Sequence, residues 1–155
     1  MMDSFEQELN KLLVDTYRSI IKVEESTIKN SKTLDLTINE MHMLEAIGKY
    51  DDGCTISDIA QELDITLPSV TVAINKLQKK GYVEKIKSSD DARKVNVALT
   101  KLGKKVNTVH QYFHEQMTKD ISKAFSKEEK SVLLKGISKL NDFFAAKIQE
   151  LEKRK

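Results

Sequence analysis

The sequence is poor in residues that break helices and in residues that form covalent cross-links. Its 155 residues include one Pro, five Gly, one Cys and no Trp, and aromatic residues make up 6%. Because Cys54 is the single Cys, the chain cannot form an internal disulfide, which fits a reducing cytoplasm. No basic residue lies close to Cys54 in the sequence to activate its thiol for redox sensing. No apolar run reaches the roughly 20 residues of a membrane span, and no signal-peptide pattern is visible. These scarcities favour a mostly helical, cytoplasmic chain without membrane contact.

The net charge of +2 conceals an uneven distribution along the chain. Residues 1–53 carry 6 Lys and Arg against 11 Asp and Glu, whereas residues 54–105 carry 10 against 6 and residues 106–155 carry 10 against 7. A basic surplus that begins near residue 54 suits a segment that neutralises phosphates. Because the basic surplus is small, we expect affinity for a nucleic acid to depend on dimerisation in addition to charge.

The segment Thr55–Gly103 predicts two short helices, a tight turn between them and a hairpin after them. Apolar residues recur at helical intervals in two runs, which are Ile56, Ile59, Ala60 and Leu63, then Val70, Ala73, Ile74 and Leu77. Asp64 lies at the turn, where Asp tolerates the left-handed conformation. Thr66 is the predicted N-cap of the second helix, Pro68 lies in its first turn, and Gly81 is placed as its C-terminal cap. This order predicts a helix-turn-helix.

Residues off the apolar face of the second helix have the chemistry of DNA contacts. Asn pairs with adenine, the methyl groups of Thr and Val contact the thymine methyl, and Ser and Lys reach bases or phosphates. The predicted DNA-binding set on this helix is Thr66, Pro68, Ser69, Thr71, Val72, Asn75 and Lys76. A solvated helix face would also explain small polar residues, and the adjoining hairpin favours DNA.

Alternating strand patterns over residues 82–87 and 95–99 enclose a charged tip. An Arg at such a tip can enter a narrow, A·T-rich minor groove, and a nearby carboxylate can orient its guanidinium. We therefore add Asp91, Arg93 and Lys94 to the predicted DNA-binding residues. An ordinary solvated turn is the alternative for an isolated charge cluster, but this tip follows a helix-turn-helix at the spacing of a wing.

Long amphipathic patterns flank the helix-turn-helix. We predict that residues 36–103 form a winged helix-turn-helix domain and that residues 1–35 and 104–155 form a helical dimerisation region. The terminal helices are too long and too apolar to lie alone in water, so a second copy is expected to cover them. A two-fold dimer would place its recognition helices about 34–36 Å apart on palindromic double-stranded DNA. The predicted fold is mainly α with a small β-hairpin wing.

The combination of motifs resembles the MarR family of bacterial transcriptional regulators. The residues that carry the resemblance are Ile59-Ala60, Leu63, Val70-Thr71, Leu77, Lys80-Gly81-Tyr82-Val83, Asp91-x-Arg93 and Leu99-Thr100-x-x-Gly103. The resemblance implies a homodimer that binds a palindrome, usually as a repressor. It implies further that the second helix faces the major groove, that Arg93 enters the minor groove and that Asp91 positions Arg93.

Within that family the sequence is similar to the fatty-acid biosynthesis repressors of Gram-positive bacteria. The matching segments are Val23-Glu24-Glu25, Glu40-Met41-His42, Ile47-Gly48-Lys49, Ile65-Thr66-Leu67 and His110-x-x-Phe113-His114-x-x-Met117. This similarity implies an acyl chain on acyl carrier protein as effector, in an apolar space for which Met is well suited. The predicted effector pocket is Met41, His42, Met43, Leu44, His110, Phe113, His114 and Met117. A small apolar effector, or plain core roles for these residues, are the alternatives.

The histidines leave a zinc-responsive regulator open as an alternative. His110 and His114 stand one helical turn apart, and imidazoles with a carboxylate suit zinc. Resemblance to the zinc-responsive branch of the family implies the ligands Glu24, His42, His110 and His114. The sequence departs from that branch at its second site, where Asn30 replaces a Cys. We therefore expect no metal or other cofactor, with zinc as the alternative effector.

Motifs of enzymes are missing from the sequence. It has no Gly-rich phosphate loop, no nucleophile-elbow Ser or Cys and no His-Glu-x-x-His pair, so we predict a protein that is not an enzyme. A helical protein-interaction module without DNA binding is the alternative from another class. Such a module would explain the terminal helices but not the wing.

Overall fold

The computed structural model describes residues 2–30, 34–87 and 95–153. The chain divides into two compact units, Met1–His110 and Gln111–Lys155. Within the described residues the elements are α1 (Ser4–Asn30), α2 (Ile38–Gly48), α3 (Ile56–Leu63), α4 (Leu67–Lys79), β1 (Val83–Lys87), β2 (Val95–Leu99), α5 (Lys101–Lys123) and α6 (Lys127–Glu152). None of the described helices has the length and apolar content needed to cross a bilayer.

The core of the first unit is built from the apolar faces of α2, α3, α4 and the hairpin. Its most deeply buried side chains are Leu44, Ile47, Ile59, Ile74, Leu77, Val70, Val83 and Val97. Burial of a side chain of this size stabilises a fold by about 1.5–3 kcal/mol. The two apolar runs predicted for the helix-turn-helix therefore point into one shared core, which sets the angle between α3 and α4.

The hairpin is antiparallel, and a bridge ties it to the segment before α3. Val83 pairs with Leu99 and Lys85 pairs with Val97. Cys54 and Val97 exchange backbone hydrogen bonds of 2.9 and 2.7 Å. Cys54 is 2% exposed, and burial raises the pKa of its thiol to about 11, which fits the structural role expected of it.

Several helices begin at capping residues. Thr37 and Glu40 form a complete capping box at the start of α2, and Ser126 and Glu129 form another at the start of α6. Thr100 Oγ1 accepts a hydrogen bond from the Gly103 N–H at 3.1 Å, in the first turn of α5. Each cap satisfies backbone groups that the first turn of a helix leaves without a partner.

In the second unit, α6 presents apolar side chains to solvent. Its exposed large apolar residues are Val132, Leu134, Ile137, Phe143, Phe144, Ile148 and Leu151. No described side chain of this helix is buried. Exposed apolar surface of this extent is typical of protein interfaces.

Candidate nucleic-acid interface

The turn between α3 and α4 is determined by backbone conformation and local hydrogen bonds. Asp64 adopts φ 51° and ψ 47°, the left-handed conformation predicted for it. The Ile65 N–H then bonds to the Ala60 carbonyl at 3.0 Å and closes the end of α3. Because Asp is one of the few non-glycine residues enriched in this conformation, the turn is tight without a glycine.

Helix α4, the predicted recognition helix, is held at both of its ends. Thr66 has extended backbone dihedrals, and its hydroxyl accepts a hydrogen bond from the Ser69 N–H at 3.4 Å. Pro68 lies in the first turn, where its missing N–H leaves no bond unmade. At the other end Gly81 has φ +80°, and the Tyr82 N–H bonds to the Leu77 carbonyl at 3.0 Å. Both predicted caps are confirmed.

The two faces of α4 differ in chemistry and in exposure. Val70, Ile74 and Leu77 are 0% exposed and anchor the helix to the core. All seven predicted DNA-binding residues of this region are exposed: Thr66, Pro68, Ser69, Thr71, Val72, Asn75 and Lys76. Val72 is 69% exposed although its side chain is apolar. A rigid helix with an exposed face of methyl, hydroxyl, amide and ammonium groups can present them to the edges of base pairs.

Two residues of the exposed face have partners on other elements of the protein. Asn75 Oδ1 accepts a hydrogen bond from Lys85 Nζ on β1 at 3.0 Å. Lys76 Nζ lies 3.2 Å from Glu40 Oε1 on α2. These two contacts would compete with contacts of the same atoms to a base or a phosphate.

Glu40 is a buried carboxylate behind the recognition helix. Its side chain is 6% exposed, and it receives a hydrogen bond from the Thr37 backbone N–H at 2.8 Å and from Lys80 Nζ at 3.0 Å. Burial by itself raises the pKa of Glu40, but the hydrogen bonds from Thr37, Lys80 and Lys76 outweigh burial and hold the pKa below its ordinary value. Glu40 is therefore ionised at neutral pH and ties α2 to α4.

The hairpin lies where a wing is expected, but the residues of its tip are not among those described. Asp91, Arg93 and Lys94 fall between residues 87 and 95, outside the described part of the chain. The strands that carry the tip follow α4 directly, and Thr100 Oγ1 bonds to the Gly81 carbonyl at 2.7 Å, which ties the base of the wing to the end of α4. The predicted minor-groove role of these three residues remains a prediction.

The residues predicted for an effector pocket divide between core and surface positions. Met41, Met43 and Leu44 are 2%, 3% and 0% exposed and belong to the core of the first unit. Of these, Met43 also lines a cavity of about 410 Å³ behind the recognition helix; the lining residues are Asn39, Glu40, His42, Met43, Leu63, Ile65, Ser69 and Ala73. Phe113, His114 and Met117 are half-buried residues of the second unit.

Three of the four residues of the alternative zinc set lie in the first unit. Glu24, which is 6% exposed, approaches His42 with 3.7 Å between its Oε2 and the imidazole Nε2. The rings of His42 and His110 have centroids 6.0 Å apart, and His110 Nδ1 lies 3.7 Å from Glu45 Oε2. The fourth residue, His114, belongs to the second unit.

Comparisons with known proteins agree with this arrangement. The sequence profile of the MarR family matches residues 34–94. The crystal structure of Streptococcus pneumoniae FabT in complex with DNA is 35% identical, with a TM-score of 0.84, over 90% of this chain and 96% of that chain. The regulator SarZ of Staphylococcus saprophyticus is 30% identical over 73% of this chain and 78% of its own length. This chain belongs to the MarR family.

A further relative is matched over a shorter region. The chain is 27% identical to the HTH-type regulator YhjH of Bacillus subtilis over 57% of its own length, and it spans about half the length of that protein. The predicted MarR fold is confirmed, with helices on both sides of a helix-turn-helix and a hairpin wing. The resemblance to the fatty-acid repressor branch is also supported, because FabT is among the similar structures.

Some features of this MarR protein escaped prediction from the sequence. Thr55 and Asp58 form a capping box at the start of α3. The spacing Thr-x-x-Asp in the sequence is the pattern that indicates such a cap. Hydrogen bonds from the Thr55 hydroxyl and backbone N–H lower the pKa of Asp58. The contact between Glu40 and the lysines of α4 had no signal in the sequence, because its partners lie far apart along the chain.

Proposed function

We propose that this MarR-family chain is a dimeric, sequence-specific DNA-binding repressor. In this proposal α4 enters the major groove and the wing enters the minor groove. The observation that carries the proposal is the exposed polar face of α4. The caps of α4 and its buried apolar residues hold the helix in one orientation, so that this face points away from the core. FabT, which is similar over nearly its whole length, was crystallised with DNA.

The chemistry of α4 assigns different tasks to its residues. Asn75 is suited to pair with adenine, and Thr71 and Val72 are suited to touch a thymine methyl. Lysines and Ser69 are suited to phosphates, which position the protein without reading sequence. Arg93, oriented by Asp91, would occupy the minor groove, where the negative potential is strongest over narrow A·T-rich steps.

Dimerisation is supported by the apolar surface of α1 and α6. On α1, Phe5 is 70% exposed and Tyr17 is 66% exposed; on α6, Val132 is 72% exposed. Apolar surfaces of this extent mark sites of protein–protein interaction. A second copy related by a two-fold axis would cover them and present two recognition helices to a palindrome.

The DNA-binding proposal is tested by selecting duplexes from a random pool and titrating the selected duplex by fluorescence anisotropy. We expect steep loss of affinity between about 50 and 200 mM salt, because bound lysines and arginines release counterions from DNA. Arg93→Ala should weaken binding by about 1–3 kcal/mol and relax the preference for A·T pairs beneath the wing. Equal binding to every duplex, or a purified protein that stays monomeric at the concentrations used, would contradict the proposal.

For the effector, we propose an acyl chain carried on acyl carrier protein, with control of fatty-acid biosynthesis genes. The similarity to FabT supports this choice, and so does the cavity lined by Met43 and His42. Ser69 and Ala73 of α4 also line that cavity, so a ligand there would contact the recognition helix. Differential contacts of this kind are what a ligand needs to shift DNA affinity.

The effector proposal is tested by titrating the DNA complex with long-chain acyl carrier protein. The matched control is the same carrier protein without an acyl chain, and a small aromatic acid represents the alternative ligand class. We expect only the acylated carrier to tighten the complex. An equal response to both carriers, or a response to the aromatic acid alone, would reject the acyl chain.

Zinc is the second candidate effector, and one distance favours it. Two ligand atoms of a tetrahedral zinc ion, each about 2.0–2.1 Å from the metal, lie roughly 3.4 Å apart. The 3.7 Å between Glu24 Oε2 and His42 Nε2 is close to that value. Equilibrium dialysis against zinc, with a His110→Ala, His114→Ala double variant as control, decides the matter. Tight stoichiometric binding that the double variant loses would favour zinc over the acyl chain.

A further inference from the structure

Glu40 pairs with two lysines at the end of the recognition helix: Lys76 lies in its last turn, and Lys80 follows its last residue. Lys80 Nζ lies 3.1 Å from Oε1 and 3.0 Å from Oε2, and Lys76 Nζ lies 3.2 Å from Oε1. The carboxylate is on α2, outside the surface that would face DNA, and only 6% of its side chain is exposed. A buried anion therefore lies directly behind the helix proposed to bind a polyanion.

The two lysines differ in how firmly they are held. The side chain of Lys80 is 16% exposed, and its Nζ also donates to the backbone carbonyl of Asp35 at 2.7 Å. The side chain of Lys76 is 57% exposed, and Glu40 is its described ion-pair partner. Lys80 is thus built into the protein, whereas Lys76 can turn outward without leaving Glu40 unpaired.

Lys76 also lies on the face of α4 proposed to meet DNA. It follows Asn75 directly and is one helical turn from Val72, both of which are exposed. An ammonium group at this position is within reach of a phosphate once it leaves Glu40. The Glu40 carboxylate is buried, so the Lys76 ammonium must turn away from it to meet a phosphate, and the two anions therefore compete for it.

We propose that Glu40 is an affinity-setting residue that competes with a DNA phosphate for Lys76. This inference rests on the proposed function, in which α4 binds DNA. In the free protein Lys76 is paired with Glu40, and on DNA it exchanges to a phosphate while Lys80 keeps Glu40 neutralised. Because Lys76 must give up Glu40, the contact with a phosphate contributes less binding free energy than it would from an unpaired lysine. This loss applies to every duplex, cognate or not, and lowers the overall DNA affinity of the regulator.

A double-mutant cycle between Glu40→Gln and Lys76→Met tests this proposal. Gln keeps an oxygen for the Thr37 N–H but removes the charge that holds Lys76. We expect Glu40→Gln to tighten binding to the selected duplex and to an unrelated duplex by about two- to five-fold, the size that a half-exposed ion pair can account for. Lys76→Met should make the dependence of log affinity on log salt shallower by about 0.9, as loss of one phosphate contact requires.

The decisive result is the combination of the two changes. We expect the gain from Glu40→Gln to vanish in the Lys76→Met background, and to survive in the Lys79→Met background. Lys79 is the matched control, because it is an exposed lysine of the same helix that pairs with no acid among the described residues. Unchanged or weaker binding by a folded Glu40→Gln variant, or a gain that persists alongside Lys76→Met, would overturn the inference.

Thermal unfolding followed by circular dichroism separates loss of folding from loss of competition. If Glu40→Gln does not fold, Glu40→Asp replaces it, because Asp58 shows that an aspartate completes a capping box in this protein. The shorter side chain of Asp keeps the charge but draws it away from Lys76. We therefore expect a smaller increase in DNA affinity, which again depends on Lys76. The absence of this increase would count against the inference. A wild-type protein that binds no duplex rejects the proposed function and this inference together, whereas binding without coupling rejects the inference alone.

Discussion

Gly103, in the first turn of α5, lies against the backbone of Tyr82, which follows the end of α4. A Cβ atom added at this position would lie 2.1 Å from the backbone carbonyl oxygen of Tyr82, although side-chain carbons essentially never approach closer than 3.0 Å. The helix or the Tyr82 peptide must therefore move by about 0.9 Å to accept Gly103→Ala. The same carbonyl accepts the Thr100 N–H at 3.0 Å, so movement strains that bond as well.

The cost of Gly103→Ala can be estimated from these contacts. Overpacking costs about 1–3 kcal/mol, and a strained hydrogen bond adds about 0.5–1.5 kcal/mol. The better helix propensity of Ala returns about 1 kcal/mol. We expect a net loss of about 2 kcal/mol in the free energy of unfolding. For a protein of this size that corresponds to a fall in Tm of roughly 4–8 °C.

Gly136→Ala is the matched control, because nothing lies within 4 Å of a Cβ atom built at Gly136 on α6. This substitution should stabilise the protein by up to about 1 kcal/mol, since it removes only the entropic cost of glycine in a helix. Both variants are measured by urea and thermal unfolding at one fixed protein concentration, because dimerisation makes stability depend on concentration. A Gly103→Ala variant that melts at or above the temperature of the wild type would refute the reasoning.

Three further predictions follow from the described contacts. Because Cys54 is buried and its thiol has a pKa of about 11, it should react slowly with Ellman's reagent at pH 8 and quickly only in denaturant; prompt reaction of the folded protein would contradict its burial. The folded-state pKa of Glu40 is depressed, so its ionised form contributes stability above pH 4.5 that is lost as pH falls through the folded-state pKa. The difference in unfolding free energy between wild type and Glu40→Gln should therefore shrink in acid, and a constant difference would exclude this role. Asn75→Ala should change base preference, whereas Lys79→Ala should chiefly reduce the salt dependence; identical profiles across duplex variants would reject the division between base and phosphate contacts.

The helix boundaries were predictable because the interactions that make them are local. Thr37 caps α2 through a residue three positions away, and Thr66 caps α4 in the same way. The left-handed turn at Asp64 and the positive φ of Gly81 likewise depend on one residue and its neighbours. Such signals need no knowledge of the rest of the chain, and the family resemblance rests on their order.

The division of α4 into a buried and an exposed face was also predictable. A helix repeats every 3.6 residues, so Val70, Ile74 and Leu77 share one side while Val72 and Asn75 fall outside it. Periodicity predicted which side chains of α4 would be exposed. It could not predict that Asn75 would accept a hydrogen bond from β1, since that contact requires the position of the hairpin.

The amino-acid order alone thus determined the caps, the turn and the amphipathic faces, since each arises among residues within a turn or two of one another. Only the tertiary structure decided that Glu40, which completes the capping box at the start of α2, also binds Lys80 forty residues later. It likewise decided that Gly103 must lie against the Tyr82 carbonyl. Both contacts depend on the angle at which α2 and α5 pack against the helix-turn-helix, and that angle follows from the shape of the whole apolar core.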